Sequence, residues 1–549
     1  MGGIEDGSVS FERVSRTTGI IFKYLLLAAT LFGIVMLGVL LVYVAWDAVQ
    51  PLTADAGWHL TYLLTLVLPT VGASAYLYRR NDGSLTFGWM TVGMLVVTLL
   101  FSGGAAMIFV DIVTPIVWFA FVVAVGVPSG LVVLMQRYEG RISVLWRAAV
   151  TVAVFYESLF GIPGPLGRLL GVGEIVPSLI DVVLAIPVLP LDWMLMLVTL
   201  GLGISAMIGG YAATISDGRT GLLTGGVALG TIAVIANVGP LLGVDPMPST
   251  VVASIAIVPT ATYLGAGIVT RDQQRIGAVI PLVVVGGSLL GWVLVHQFGF
   301  AGPEAWVDWQ FLTSAHSTTA EEAGLYPAIG GSILLMLTVA TFSFPLGVGA
   351  AVYLEEYAPD NRVTRFIDVN ISNLAGVPSV VYGLLGLSLF VTHLNQPAGT
   401  VLVGGATLAL LILPIVIISS REAIRSVPEE VRQAAYGMGA TRWQTVKTVV
   451  LPHAFPGILT GTILALGRAI GETAPLIMIL APNVVFSLPT TFTSKVSAMP
   501  LQVYAWASLY ASEEFYTKAV PAGVVVLVTV MLAMNAVAIV LRNKYQSEQ

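Results

Sequence analysis

Apolar residues run through the chain in long stretches, interrupted by short polar clusters. A helix needs about 20 mainly apolar residues to cross a bilayer. Fourteen runs meet that length, near 20–46, 59–78, 86–110, 115–135, 145–163, 192–215, 221–243, 250–269, 277–299, 327–353, 372–392, 400–419, 453–480 and 520–541. The first is too long for the apolar core of a signal peptide, so it reads as a retained helix. Between 164 and 191 the pattern weakens. Residues 176–190 are apolar but short and carry Pro177, Pro187 and Pro190, which reads as a re-entrant or interfacial segment.

Composition confirms what the runs imply. Of 549 residues, 56% are apolar and 10% are charged, against about 25% charged in an ordinary soluble protein. The mean hydropathy is +0.91. So few charges cannot coat a water-soluble body of this size, which excludes a soluble globular protein, a disordered chain and a nucleic-acid binder. The 58 glycines suit close approach of membrane helices. Absence of cysteine excludes disulfides, thiolate metal sites and cysteine nucleophiles.

Charge placement orients the runs. With the N-terminus on the cytoplasmic side, 20 of 24 basic residues fall in inside segments, including Arg13, Arg16, Lys23, Arg79, Arg80, Arg137, Arg141, Arg147, Arg219, Arg271, Arg275, Arg362, Arg365 and the stretch from Arg421 to Lys447. Only Arg168, Lys495 and Lys518 fall outside, where Asp47, Asp55, Glu174, Asp245, Glu304, Asp308, Glu321, Glu322, Glu513 and Glu514 gather. The expected protein is an all-α polytopic membrane protein of the cell membrane, with an even number of spans and both termini cytoplasmic.

Two regions differ in character. Residues 1–275 are spans joined by short loops, whereas 276–549 carry one long inside loop and two long outside loops, 300–326 and 481–519. The expected division is a membrane region 1–275 and a second membrane region 276–549. No convincing internal repeat links them; the match of 176–178 with 377–379 is a tripeptide and reads as chance.

The densest polar island is 420–452. Ser426 with Glu429 fits a capping box and Pro428 suits a first helical turn. The helix should run to about Met438, with Gly437 and Gly439 as stop signals, and Thr441 can cap a second short helix ending at Pro452. Val427, Val431, Ala434, Ala435 and Met438 share one face at helical spacing. A helix-turn-helix tied without slack to spans on both sides can act as a handle for a partner; the plainer alternative is a solvated loop with a charged face.

Span 453–480 carries a second unusual feature. Arg468 and Glu472 stand four apart, on one helix face. An arginine in hydrocarbon costs from about 2.5 to over 10 kcal/mol, so it should face a bundle interior or a wet cavity, with Glu472 as partner. A structural ion pair is one reading. The functional one is that the planar guanidinium fork suits a tetrahedral oxyanion such as phosphate, with Glu472 holding Arg468 when no anion is present and keeping it from trapping one.

These residues carry a family resemblance. Gln433-Ala434-Ala435, then Gly439, then Val449-x-Leu451-Pro452 resembles the Glu-Ala-Ala coupling loop of ABC importer permeases. Gln433 stands for the family's glutamate and Val449 for its isoleucine; Glu429, one turn earlier, is placed to supply the missing charge. Gly467-Arg468-Ala469-Ile470-Gly471-Glu472-Thr473-Ala474-Pro475 resembles the PstA family of phosphate permeases, as do 326–332, 344–347, 353–357, 378–384 and 414–417. The resemblance covers about 277–549. It implies a type I ABC importer permease core of six spans, here preceded by about eight extra ones of unknown role. It further implies a pathway lined by Arg468, Glu472 and Thr473, and a coupling surface including Glu429, Gln433, Ala434, Ala435, Gly439, Leu451 and Pro452. Segment 362–371 suits an elbow helix at the inner interface.

The implied partners are an ABC ATPase dimer, a second, PstC-like permease chain, an external phosphate-binding protein and membrane lipid, with no nucleic acid. The implied function is ATP-driven phosphate import, with other oxyanions (sulfate, molybdate) or a non-transporting phosphate-sensing scaffold as alternatives. The chain has no Gly-x4-Gly-Lys-[Ser/Thr] loop, so ATP and Mg would be used by the partner, and no cofactor is expected on this chain. His59, His296, His316, His393 and His453 are scattered and form no catalytic pattern, so an intramembrane enzyme is not expected.

Overall fold

The computed structural model describes residues 16–136, 144–162, 164, 175–186, 192–270, 272–480, 485–510 and 512–546. Arg13, Arg137, Arg141, Arg168, Glu174, Pro187, Pro190 and Arg271 lie outside them. Among the described residues every regular element is helical, apart from two isolated bridges. This is the all-α membrane fold expected. Twelve helices are long and apolar enough to cross a membrane, or up to thirteen if a bent pair counts as one span.

In chain order the elements are α1 (Arg16–Val49), α2 (Ala56–Arg80), α3 (Asp82–Ile112), α4 (Pro115–Gln136), α5 (Val144–Phe160), α6 (Leu179–Ala185), α7 (Asp192–Ile215), α8 (Gly218–Leu241), α9 (Pro246–Thr270) and α10 (Arg275–Phe298). They continue as α11 (Trp309–Thr313), α12 (Tyr326–Tyr357), α13 (Arg362–Ala375), α14 (Ser379–His393), α15 (Val401–Arg425), α16 (Glu429–Gly437), α17 (Arg442–Ala469), α18 (Ala474–Leu480), α19 (Met499–Ser508) and α20 (Val520–Gln546). α5, expected as a full span, has 17 residues, the lower limit for crossing. α6 is a seven-residue helix packed on α4 and α5. At about 1.5 Å per residue it is too short to cross.

Three expected helix boundaries move, each for a stated cause. The run 453–480 is not one helix: α17 ends at Ala469 and α18 begins at Ala474. Pro475 has no N–H and its ring would clash with the carbonyl of Gly471, so a helix cannot continue through that turn. Conversely, the helix capped by Thr441 does not stop at Pro452. It passes through a π turn at Val446–Val450 and on into the span, and such a turn accommodates the missing proline donor. The run 372–392 is bent by 105° between α13 and α14, at Gly376-Val377-Pro378. α13 is the expected elbow, slightly longer. Asn361 caps it by accepting from Val363 and Thr364 N–H, and it keeps Val363, Phe366 and Val369 exposed.

Small residues bring the later helices together, and they belong to the short motifs noted in the sequence. A Cβ on Gly347 would sit 2.6 Å from Val416, fixing α12 against α15. One on Gly383 would sit 2.8 Å from Pro475 Cα, locking α14 onto α18. One on Gly331 would meet the Ser497 carbonyl at 1.9 Å, while Ser332 Oγ accepts from Met499 N–H at 2.8 Å. Leu335, Val339, Leu408, Ile412, Ala469 and Ile479 form the buried centre of this bundle.

The earlier helices pack differently. α1 lies along α20 and makes its main contacts there. α10 packs on α2 and α3, with Gly287 close against the Thr65 carbonyl and Gly291 against Tyr62. The strands of chain leaving α1 and leaving α10 run side by side. Asp55 N–H donates to the Ala301 carbonyl at 3.0 Å, Ala301 N–H donates to Asp55 Oδ2 at 2.7 Å, and Glu304 N–H donates to Thr53 Oγ1 at 2.8 Å. Asp111 at the end of α3 meets the Tyr326 hydroxyl at the start of α12.

Candidate functional site

The depth of Arg468 follows from helix register. α17 runs antiparallel to α15, with Gly457 against Ala423 and Gly461 against Ser419. Carrying that register about two turns further sets Arg468 level with Ile412, the middle of α15. Arg468 is the last-turn cation of α17, where a positive charge complements the helix dipole. Its Nε lies 3.2 Å from Glu472 Oε1. The pair therefore forms as expected, but across a helix end rather than along a continuous helix.

The two partners differ in exposure. The Arg468 side chain is 57% exposed and that of Glu472 is 15% exposed. Leu464, one turn earlier on the same face, is also exposed. A guanidinium at this depth cannot be left against acyl chains at low cost, so the face needs a wet path or a second chain beside it. Thr473 is half-buried in the unwound link, its carbonyl accepting from Ile477 N–H at 3.0 Å. Non-helical backbone at membrane depth is tolerated where it is buried in protein or lines a cavity.

The polar arm forms a helix-turn-helix. Thr441 caps with a full capping box to Gln444. Gly439 adopts φ +84° and has open space around it, as a helix stop of this kind requires. The capping box expected at Ser426 and Glu429 does not form: Pro428 takes the N-cap position and Ser426 Oγ donates to the Ala423 carbonyl at 2.7 Å instead. Of the expected face, Val427 and Ala435 are buried, whereas Met438 is 84% exposed. Glu429, Gln433, Ala434 and Pro452 are exposed and Leu451 is half-buried. Tyr436, Met438 and Trp443 are each exposed on the arm.

A charge network ties the arm to the bundle, and spacing in the sequence does not announce it. Glu355 accepts from Arg421 Nε at 2.5 Å and Arg425 Nε at 2.9 Å. Arg421 also donates to Asp368 on α13 at 2.7 Å. Glu356 pairs with Arg432 of α16. The available signal was two adjacent glutamates closing an apolar run that faces a basic loop. Among the extra helices, Glu157 is half-buried, and Asp181 is exposed and bonded to Ser178 Oγ at 2.5 Å, a local cap at α6. Among the described residues no cluster of three metal-ligating side chains occurs.

A many-span helical bundle, a paired charge at mid-depth beside a broken helix and a projecting polar arm together define a membrane transport permease. The sequence profile of the binding-protein-dependent transport system inner membrane components matches residues 343–545. Phosphate transport system permease protein PstA 1 of Mycobacterium tuberculosis is 34% identical over 229 residues, covering 41% of this chain and 72% of that protein. PstA of Haemophilus influenzae is 30% identical over 242 residues, covering 44% of this chain and 83% of that protein. Probable ABC transporter permease protein YqgI of Bacillus subtilis is 36% identical over 200 residues, covering 36% of this chain and 65% of that protein, just under two thirds. A structure of the MetNI methionine ABC transporter in an inward-facing conformation aligns with 40% of this chain and 97% of its own, at 16% identity and a TM-score of 0.32. The chain belongs to the binding-protein-dependent transport system inner membrane components, the ABC importer permeases, in the company of the PstA and PstC proteins.

Proposed function

We propose that this chain is the permease subunit of an ATP-driven importer of inorganic phosphate, forming half of the pathway. The observation that carries the reading is Arg468 at mid-depth, paired with Glu472 yet more than half open. Its guanidinium fork matches a tetrahedral oxyanion, and Glu472 competes with the anion so that binding stays reversible. Thr473, in the adjoining link, is a further pathway residue. The names of the PstA relatives support phosphate over other oxyanions.

The arm 420–452 is the coupling element in this reading. Its exposed Tyr436, Met438 and Trp443, with Glu429, Gln433 and Ala434, offer a docking surface to an ATPase subunit, while Ala435, Gly439, Leu451 and Pro452 shape it. ATP and Mg belong to that subunit dimer. A PstC-like chain completes the pathway, and a phosphate-binding protein delivers substrate to the outside loops. The basic arm lies on the cytoplasmic side, with both termini.

We also infer a division of the chain that differs from the expected boundary near 275. The core consists of α1 with α11 to α20, and 50–308 enters as an insert in the loop between its first and second spans. The packing of α1 on α20, the attachment of α10 to α2 and α3, and the hydrogen-bonded connectors at 53–55 and 301–304 support it. Close entry and exit points are what insertion of a module requires.

The test of function is co-purification with the partner subunits, then uptake of labelled phosphate by vesicles, with sulfate and molybdate as competitors. ATP-dependent uptake resisted by neither competitor's excess is the expected result. Uptake displaced by sulfate or molybdate would assign another oxyanion. An assembled complex that binds phosphate without moving it would assign a sensor.

A further inference from the structure

We propose that Glu356 and Arg432 form the strut through which α16 moves α12, making them positioning residues for transport rather than part of the surface a motor subunit grips. The proposal rests on the reading of 420–452 as a coupling arm. Arg432 leaves α16 on its inward side. Its guanidinium reaches Glu356 and also donates to the Ile424 carbonyl at 2.7 Å, while its Nε stands 3.6 Å from Glu429. The Glu356 side chain is 5% exposed and that of Arg432 is 13% exposed. Among the described residues this is the one ion pair joining α16 to α12.

The neighbouring glutamate does a different job. Adjacent residues of a helical turn project in different directions, so Glu355 reaches instead to Arg421 and Arg425 at the end of α15. Through Arg421 it also holds Asp368 of the elbow α13. The two glutamates share one π turn at the end of α12 and between them grip α13, α15 and α16. Beneath them Ala351, Ile424, Val427, Val450 and Ile458 form a compact apolar layer. A push on α16 is therefore delivered through a buried charge pair onto the end of α12. α12 carries it onward because Gly347 is closed against Val416 of α15.

The arrangement separates gripping from transmission. The exposed side of the arm carries Tyr436, Met438 and Trp443; the buried side carries Arg432. An exposed ion pair would matter little, but removing one partner of a buried pair leaves a charge without compensation.

The test uses the full complex in vesicles with Glu356→Gln. The ATPase subunit should co-purify as in the native complex and ATP hydrolysis should continue, while phosphate moved per ATP falls about tenfold or more, within the range of coupling energies. The reversed pair, Glu356→Arg with Arg432→Glu, should regain part of the lost coupling. The chain has no cysteine, so spin labels at Leu337→Cys on α12 and Leu289→Cys on α10, a helix not joined to the arm, report their separation without reference to substrate. Nucleotide should shift that distance in the native background and leave it fixed with Glu356→Gln. A shift that survives the substitution, or loss of the ATPase subunit from the complex, overturns the strut. A native chain that shows the shift but takes up no phosphate overturns only the substrate reading.

Discussion

Arg468 and Glu472 meet at 3.2 Å across the end of α17, level with the middle of α15. The fourfold spacing that suggested one helical face survives in space although the helix itself stops at Ala469. The stop makes the pair more useful. A cation on the last turn is favoured by the helix dipole, and the link that follows leaves its side chain open on one flank.

Arg468→Ala should abolish phosphate uptake while leaving the assembled complex intact. Arg468→Lys should retain only a small part of the activity, since an ammonium keeps the charge but not the planar fork. Vesicle uptake beside the yield of purified complex checks both. Native-level uptake with alanine would remove Arg468 from the pathway.

Glu472→Gln separates affinity from turnover. With no carboxylate competing for Arg468, the half-saturating phosphate concentration should fall and the maximal rate should fall with it. The opposite pattern, weaker binding at an unchanged rate, would mean that Glu472 only holds the arginine in shape.

Gly439 tests the arm. Its φ of +84° is the left-handed conformation, and nothing stands within 4 Å of where a Cβ would point. Any loss on substitution is then conformational rather than steric, about 1 to 2 kcal/mol for an ordinary residue. Gly439→Asn should be mild, because asparagine tolerates that region. Gly439→Val should reduce transport-linked ATP hydrolysis clearly. Equal behaviour of the two variants in an ATPase assay would count against the turn as a coupling feature.

Much of this was legible from the chain alone, for physical reasons. Long apolar runs fix spans because a helix satisfies its whole backbone within one apolar segment in lipid, and Arg468 stood out because an intramembrane charge is costly. Three things were not legible. Pro475 signals a kink in the run 453–480, but apolar periodicity does not say that the helix ends at Ala469 and restarts at Ala474. Ser426 and Glu429 have the capping-box spacing, yet Pro428 takes the cap position and the serine turns back to Ala423. The Glu355 and Glu356 network joins residues more than fifty apart, a distance at which local patterning carries no signal.

His316 gives a pH dependence to the loops at the opposite end from the arm. Its Nδ1 accepts from Trp506 Nε1 at 2.8 Å, and its Nε2 has no partner among the described residues. Burial pushes the imidazole below its ordinary value of 6.5. The folded state thus favours the neutral ring. The stability this brings is complete above about 6.5 and declines as pH falls below it, ending once the folded protein also protonates. The thermal midpoint of the purified chain should drop between pH 7.5 and 5, and His316→Gln should flatten the drop. An unchanged slope in the variant would place the sensitivity elsewhere.

The division of the chain has its own test, and the absence of cysteine makes it clean. If α1 is the first span of the permease core, a cysteine on α1 should cross-link in native membranes to one on α20 and not to one on α10. If instead α1 opens a separate N-terminal region, it should link to helices of 50–298. The two outcomes exclude each other, because α20 and α10 contact different neighbours. The first result carries a consequence for the extra helices. A module closed at its neck by Asp55 with Ala301 and Thr53 with Glu304, and joined to Tyr326 through Asp111, stands beside the end of α12 opposite the arm. Tyr326→Phe should then loosen the module from α12 without altering the arm, measured as faster proteolysis near the 301–304 connector with unchanged binding of the ATPase subunit.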